Sequence, residues 1–197
     1  MARTKKLPQY VQEAIKCGPV PKMRNWRRVK VENLTRAERV MLFIETYLRV
    51  PEGAHVSEPI RLIPFQECFI YAVYDNPHGT RKAYCSISRK NGKTALIAGL
   101  MCAHIIGPEA QQNSQLISSA RSREQAAIVF NLMCKMMDLN PELADTYRIV
   151  PSSKRIIGLN KNVEYKASSA DAKTTHGSSP IFACIDEIGQ VVGPNRS

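Results

Sequence analysis

Ser88-Arg89-Lys90-Asn91-Gly92-Lys93-Thr94 lies between an apolar run, Ala83 to Ile87, and a helically spaced one, Thr94 to Ile106. Ala83 to Ile87 reads as a buried strand. Leu96, Ile97, Leu100, Met101 and Ile105 mark the buried side of the following helix. Gly-Lys-Thr at a strand-to-helix turn is the arrangement a phosphate-binding loop requires. Amides of the loop and first helical turn point at phosphate oxygens, and the helix dipole adds favourable potential. Gly92 lets the backbone come close, Lys93 reaches the β- and γ-phosphates, and the Thr94 hydroxyl holds Mg²⁺. The usual pattern, G-x-x-x-x-G-K-[ST], asks for glycine at position 87, where isoleucine stands. Taken alone, the loop is also compatible with a helix start bearing a solvated lysine.

A second stretch narrows that choice. Ile181-Phe182-Ala183-Cys184-Ile185-Asp186-Glu187 is a continuous apolar strand of the buried, parallel type, ending in two acids. In a phosphate-binding-loop fold the first acid, Asp186, holds Mg²⁺ through water. The second, Glu187, polarises the water that attacks the γ-phosphate. Ligands of open α/β sheets bind at the C-terminal ends of strands, where both stretches lie. Together they predict ATP or GTP binding.

Thr35-Arg36-Ala37-Glu38 is a capping box opening a helix through Val40, Phe43, Ile44, Tyr47 and Leu48, which Pro51 ends. A short helix is predicted from Phe65 to Tyr74. Gln115 to Ser118 reads as a strand. Ser122-Arg123-Glu124-Gln125 is a second capping box, opening a helix with Ile128, Leu132, Met136 and Leu139 in line. Arg155 to Ile157 and Val163 to Lys166 read as a hairpin around Gly158 to Asn162. The alternation of strand and helix predicts an α/β sheet with right-handed crossovers.

Of a net charge of +11, residues 1–30 carry nine Lys and Arg against Glu13, a net of +8. Such an arm meets nucleic acid by releasing counterions from phosphates, or it is a solvated tail. With 44% hydrophobic and 23% charged residues, the composition is that of an ordinary globular domain. No apolar run approaches the roughly 18 residues that span a bilayer. No apolar segment follows the basic Met1 to Lys6, which argues against a secretory signal and for an intracellular protein. The six cysteines form no C-x-x-C pair and read as reduced thiols, and the four histidines are scattered.

The loop, with arginine following serine and no leading glycine, resembles the deviant Walker A of tailed-bacteriophage terminase large subunits. Pro64-Phe65-Gln66 resembles that family's adenine-contacting glutamine motif. Ser118 to Ala126, Thr175-His176-Gly177 and Asp186-Glu187-Ile188-Gly189-Gln190 resemble its next strand exit and the run into and out of its Walker B. The resemblance covers about residues 35–195. It implies a P-loop NTPase core of the ASCE type, α/β with a mainly parallel sheet, incomplete at its C-terminus and preceded by a helical N-terminal region. The division expected is a basic arm at 1–33 and an ATPase domain at 34–197.

The resemblance further implies an ATP-driven motor that packages double-stranded DNA into a capsid. It would form a homo-oligomeric ring with portal protein and small terminase subunit, in the host cytoplasm and transiently at the procapsid portal. Gln66, Ser88, Arg89, Lys90, Asn91, Gly92, Lys93 and Thr94 would bind the nucleotide, Thr94 and Asp186 the Mg²⁺. Glu187, Lys93 and Arg89 would serve catalysis. Arg89 would reach the γ-phosphate in cis, and Arg121 or Arg123 could serve a neighbouring subunit. The family continues past its Walker B with a coupling motif and a nuclease domain, whereas this sequence ends at Ser197, ten residues after Glu187. No acidic cluster suited to two metals is present, so no nuclease activity is expected from these residues. Two other readings stand beside this one. A helicase-like ATPase shares the motifs, though Asp186-Glu187-Ile188-Gly189 fits a terminase better. A nucleic-acid-binding assembly protein with a degenerate loop would act through the arm.

Overall fold

The computed structural model describes residues 7–18, 20–21, 24–88, 90–120, 123–169 and 179–185. Among the described residues five α-helices, α1 (Gln9–Cys17), α2 (Arg36–Tyr47), α3 (Pro64–Tyr74), α4 (Lys93–Ile105) and α5 (Arg123–Asp138), accompany five strands. The strands are β1 (Gln115–Ala120), β2 (Tyr147–Val150), β3 (Arg155–Gly158), β4 (Val163–Ser169) and β5 (Phe182–Ile185). They form one sheet in the order β2-β3-β4-β1-β5. The sheet is mixed: β1 pairs in parallel with β4 and β5, whereas β2, β3 and β4 are antiparallel neighbours.

Local chemistry sets the helix boundaries. Thr35 Oγ1 accepts the Glu38 amide at 3.2 Å, and Glu38 Oε2 accepts the Thr35 amide at 2.9 Å, so the predicted capping box forms. Asp75 at the end of α3 also accepts the Ala37 amide, at 2.9 Å. Pro64 starts α3, where a missing N–H costs nothing. The α4 helix is buried nearly all round, because it sits between α2, α5 and the sheet.

One sheet face, with Leu116, Ser118, Ala120, Ile156, Val163 and Tyr165, is buried beneath α4 and α5. Gly158 is needed there for space, since a Cβ would overlap the Ile105 carbonyl oxygen. The predicted hairpin forms, with Asn162 in the left-handed region (φ 51°) closing its turn.

Three expectations are corrected. The strand expected to be buried at 181–185 is parallel but lies at the end of the described sheet, with Ile181 42% and Ile185 51% exposed. Residues 83–87 are irregular rather than a buried strand, with Tyr84 77% exposed. A strand is held by its ladder, and these residues have no partner among the described strands. On α5, Ile128 is 51% exposed, while Ala126, Val129, Phe130, Met133, Met136 and Met137 face the core. That helix is rotated relative to the expected stripe because α4 and the sheet select its wider apolar side.

Residues 7–33 hold α1 and two 3-10 turns, at Trp26–Arg28 and Val31–Asn33. The α1 helix lies on α3, where Tyr10 stacks on Tyr71 with centroids 5.3 Å apart. No helix of the described residues is long and apolar enough to cross a membrane. All six cysteines are free thiols, Cys102 fully buried and the others partly so.

Candidate nucleotide-binding site

The α4 helix begins at Gly92, whose φ of 72° lies in the left-handed region that glycine enters without cost. The Gly92 carbonyl accepts the Leu96 amide at 2.9 Å, but no side chain caps the helix start. Amides of the first turn lie at the positive end of the helix dipole. Lys90 also has a positive φ, 65°, so the loop reverses direction just before the helix. Asn91 Nδ2 donates to Ser88 Oγ at 2.6 Å and to the Ser88 carbonyl at 3.2 Å, bracing the two ends of that turn. Burial pushes the Cys85 thiol pKa up while the Lys93 ammonium pulls it back. Thr94 is half-buried in the first turn.

Gln66 comes to this loop from α3. Its Oε1 accepts the Ile63 amide at 3.1 Å, capping α3, and this holds the side chain in one orientation. Its Nε2 lies 3.1 Å from where a Gly92 Cβ would stand. The glutamine amide and the glycine backbone thus share one spot, 26 residues apart in sequence. Beside them a cleft of about 180 Å³ opens between Val50, Ile60, Arg61, Gln66, Leu96 and Gly99. Its wall is mainly apolar, with the Gln66 amide and Arg61 as polar groups, the make-up of a base-sized ligand site.

Of the expected site residues, Gln66, Ser88, Lys90, Asn91, Gly92, Lys93 and Thr94 gather around the α4 N-terminus. Arg89, Asp186, Glu187 and Arg121 lie outside the described residues, as do Thr175, His176 and Gly177 and the side chain of Arg123. The β5 strand runs to Ile185, the residue before Asp186 in sequence, and pairs in parallel with β1 up to Ser119.

Two arrangements, one beside the cleft and one at the far end of α4, are absent from the sequence reading. Glu45, only 2% exposed, accepts the Leu62 amide at 3.0 Å and the Trp26 indole N–H at 2.6 Å. An acid within the apolar run of α2 was the available signal. His104 of α4 meets Tyr74 of α3 and Phe182 of β5. Nothing in a lone histidine's sequence position announces that.

The chain belongs to the terminase large subunits: the family described as "Terminase large subunit, ATPase domain" matches residues 64–194. Within that class it is similar to the "Terminase, large subunit" of Enterobacteria phage HK97, at 62% identity over 161 residues, 82% of this chain and 32% of that protein. The crystal structure of the HK97 bacteriophage large terminase has the same fold. The TM-score is 0.75 and the identity 61%, over 82% of this chain and 33% of that one. The chain thus spans about a third of the length of these relatives.

Proposed function

We propose that this chain is the ATP-hydrolysing portion of a phage DNA-packaging motor with a P-loop core of the ASCE type. The observation that carries the reading is that Gln66 both lies against Gly92 and lines the apolar cleft. An adenine ring has a matching donor and acceptor edge and an apolar face, so the cleft suits the base while the uncapped α4 start suits the phosphates. Family membership supports the same assignment.

In this reading Gln66 selects the base, and Ser88, Arg89, Lys90, Asn91 and Gly92 wrap the phosphates. Lys93 neutralises charge on the β- and γ-phosphates. Thr94 and Asp186 would hold Mg²⁺, which when bound would offset phosphate charge. Glu187 orients and deprotonates the water that attacks the γ-phosphorus, releasing ADP and inorganic phosphate. Arg89, or Arg121 or Arg123 of a neighbouring subunit, stabilises charge that develops in the transition state. The substrate moved is double-stranded DNA. The partners are portal protein, small terminase subunit and further copies in a ring, in the host cytoplasm and at the procapsid portal.

The test is Mg²⁺-dependent binding of a labelled ATP analogue to the chain, beside Lys93→Ala and Asp186→Ala. Binding that weakens at least tenfold in both variants is expected, since each removes a charge-assisted contact worth about 1.5–3 kcal/mol. A folded wild-type chain that binds no better than the two variants would sink the nucleotide reading.

A further inference from the structure

The N-terminal basic segment is tied to both ends of the stretch that carries Gln66. At one end, Trp26 Nε1–H donates to Glu45 Oε2 at 2.6 Å, while Glu45 Oε1 accepts the Leu62 amide at 3.0 Å. At the other, Arg24 Nη2 donates to Glu67 Oε2 at 2.8 Å, one residue past Gln66. The two arm residues also engage each other, with the Arg24 guanidinium 5.4 Å above the Trp26 ring. Because Glu45 is buried, its carboxylate needs donors to offset lost hydration, and Trp26 and Leu62 are the donors the structure supplies. Leu62 lines the cleft with Ile60 and Arg61, and four residues later Gln66 lies against Gly92.

We infer that Arg24 and Trp26 are positioning residues for the nucleotide cleft. They hold residues 62–67 so that the Gln66 amide lies against Gly92, and they thereby couple the basic N-terminal segment to nucleotide affinity. Neither residue lines the cleft; each acts through a buried or partly buried acid. This inference rests on the nucleotide reading of the site. Coupling of this kind is reciprocal: a polyanion that draws the arm away weakens nucleotide binding by the factor with which nucleotide weakens the polyanion's hold.

The experiment is a double-mutant cycle on the full chain, read as the Kd of a fluorescent ATP analogue with Mg²⁺. Trp26→Phe keeps an aromatic ring at the position and removes the N–H to Glu45 together with the pyrrole part of the indole. The expected result is an affinity about 3–10-fold weaker for Trp26→Phe, on the scale of part of one charge-assisted hydrogen bond. The loss should vanish in a Gln66→Ala background, where there is no amide left to misplace. It should persist in a Thr94→Ala background, on the phosphate side. A general loosening of the fold would reduce affinity equally in both backgrounds. Equal Kd for wild type and Trp26→Phe, or the same loss with and without Gln66, overturns the inference and leaves the nucleotide site standing. Wild-type binding that is absent, or unmoved by Lys93→Ala, instead overturns the nucleotide reading and this inference with it.

Discussion

The imidazole of His104 is stacked on the ring of Phe182, with centroids 4.1 Å apart and planes 18° from parallel. Its Nε2 meets the Tyr74 hydroxyl at 3.0 Å. One side chain of the phosphate-loop helix thus touches both α3, which carries Gln66, and the first residue of β5, the strand that leads to Asp186. The Arg36 guanidinium caps the assembly from outside, 5.3 Å over the Tyr74 ring, while forming a forked ion pair with Glu109.

Burial lowers the His104 pKa from 6.5 to about 4, with Arg36 reinforcing the shift and Glu109 opposing it. Its Nδ1 has no hydrogen-bond partner among the described residues, so a second N–H there would be buried unsatisfied. Between about pH 6.5 and pH 4 the unfolded chain binds this proton and the folded chain does not. Stability from this group is therefore complete above pH 6.5 and is lost as pH falls toward 4. The full effect is on the order of 3 kcal/mol. Thermal unfolding of wild type and His104→Gln across pH 4–7 measures it: the wild-type Tm should fall more steeply with acid. Parallel curves would contradict the assignment.

Gly92→Ala places a methyl group 3.1 Å from Gln66 Nε2 and puts alanine at a φ of 72°. The backbone strain costs about 1 kcal/mol, which lowers Tm by roughly 2–4 °C in a chain of this size. The larger consequence is expected in ligand binding, because the glutamine and the loop compete for one space. Analogue Kd should rise at least tenfold, more than the Tm change alone predicts. A variant with lowered Tm and wild-type Kd would show that Gln66 and the loop do not act together.

Gly158→Ala tests packing rather than the site. The added methyl collides with the Ile105 backbone at the end of α4, and no side-chain rotation relieves it. Loss of about 1–3 kcal/mol or more is expected, read as a drop in the denaturant midpoint with an unchanged m-value. A midpoint equal to wild type would mean that α4 and the β3–β4 hairpin separate more readily than their packing implies.

Much of the candidate site was legible in sequence. Ser88 to Thr94 is a contiguous run, and Pro64-Phe65-Gln66 stands out by its resemblance to the family's glutamine motif. What could not be read was the contact between them, since the cap that orients Gln66 and the bend that presents Gly92 belong to separate helices. The sequence could flag Glu45 as an acid in an apolar run but not its contacts, because its hydrogen-bond partners, Trp26 and Leu62, come from segments on either side of α2.

By itself the sequence determined what depends on groups a few residues apart. These are the Thr35–Glu38 capping box, the proline start of α3, the hairpin turn at Gly158 to Asn162, and the glycine that begins α4. Each is a local backbone or hydrogen-bonding requirement that a short run of residue types can meet. Tertiary structure alone decided which face of α5 is buried, because that helix is apolar on more than one side and its neighbours choose. It also decided that residues 83–87, apolar enough for a strand, stay irregular. An extended segment becomes a strand only when another segment completes its ladder, and that partner is a property of the assembled sheet.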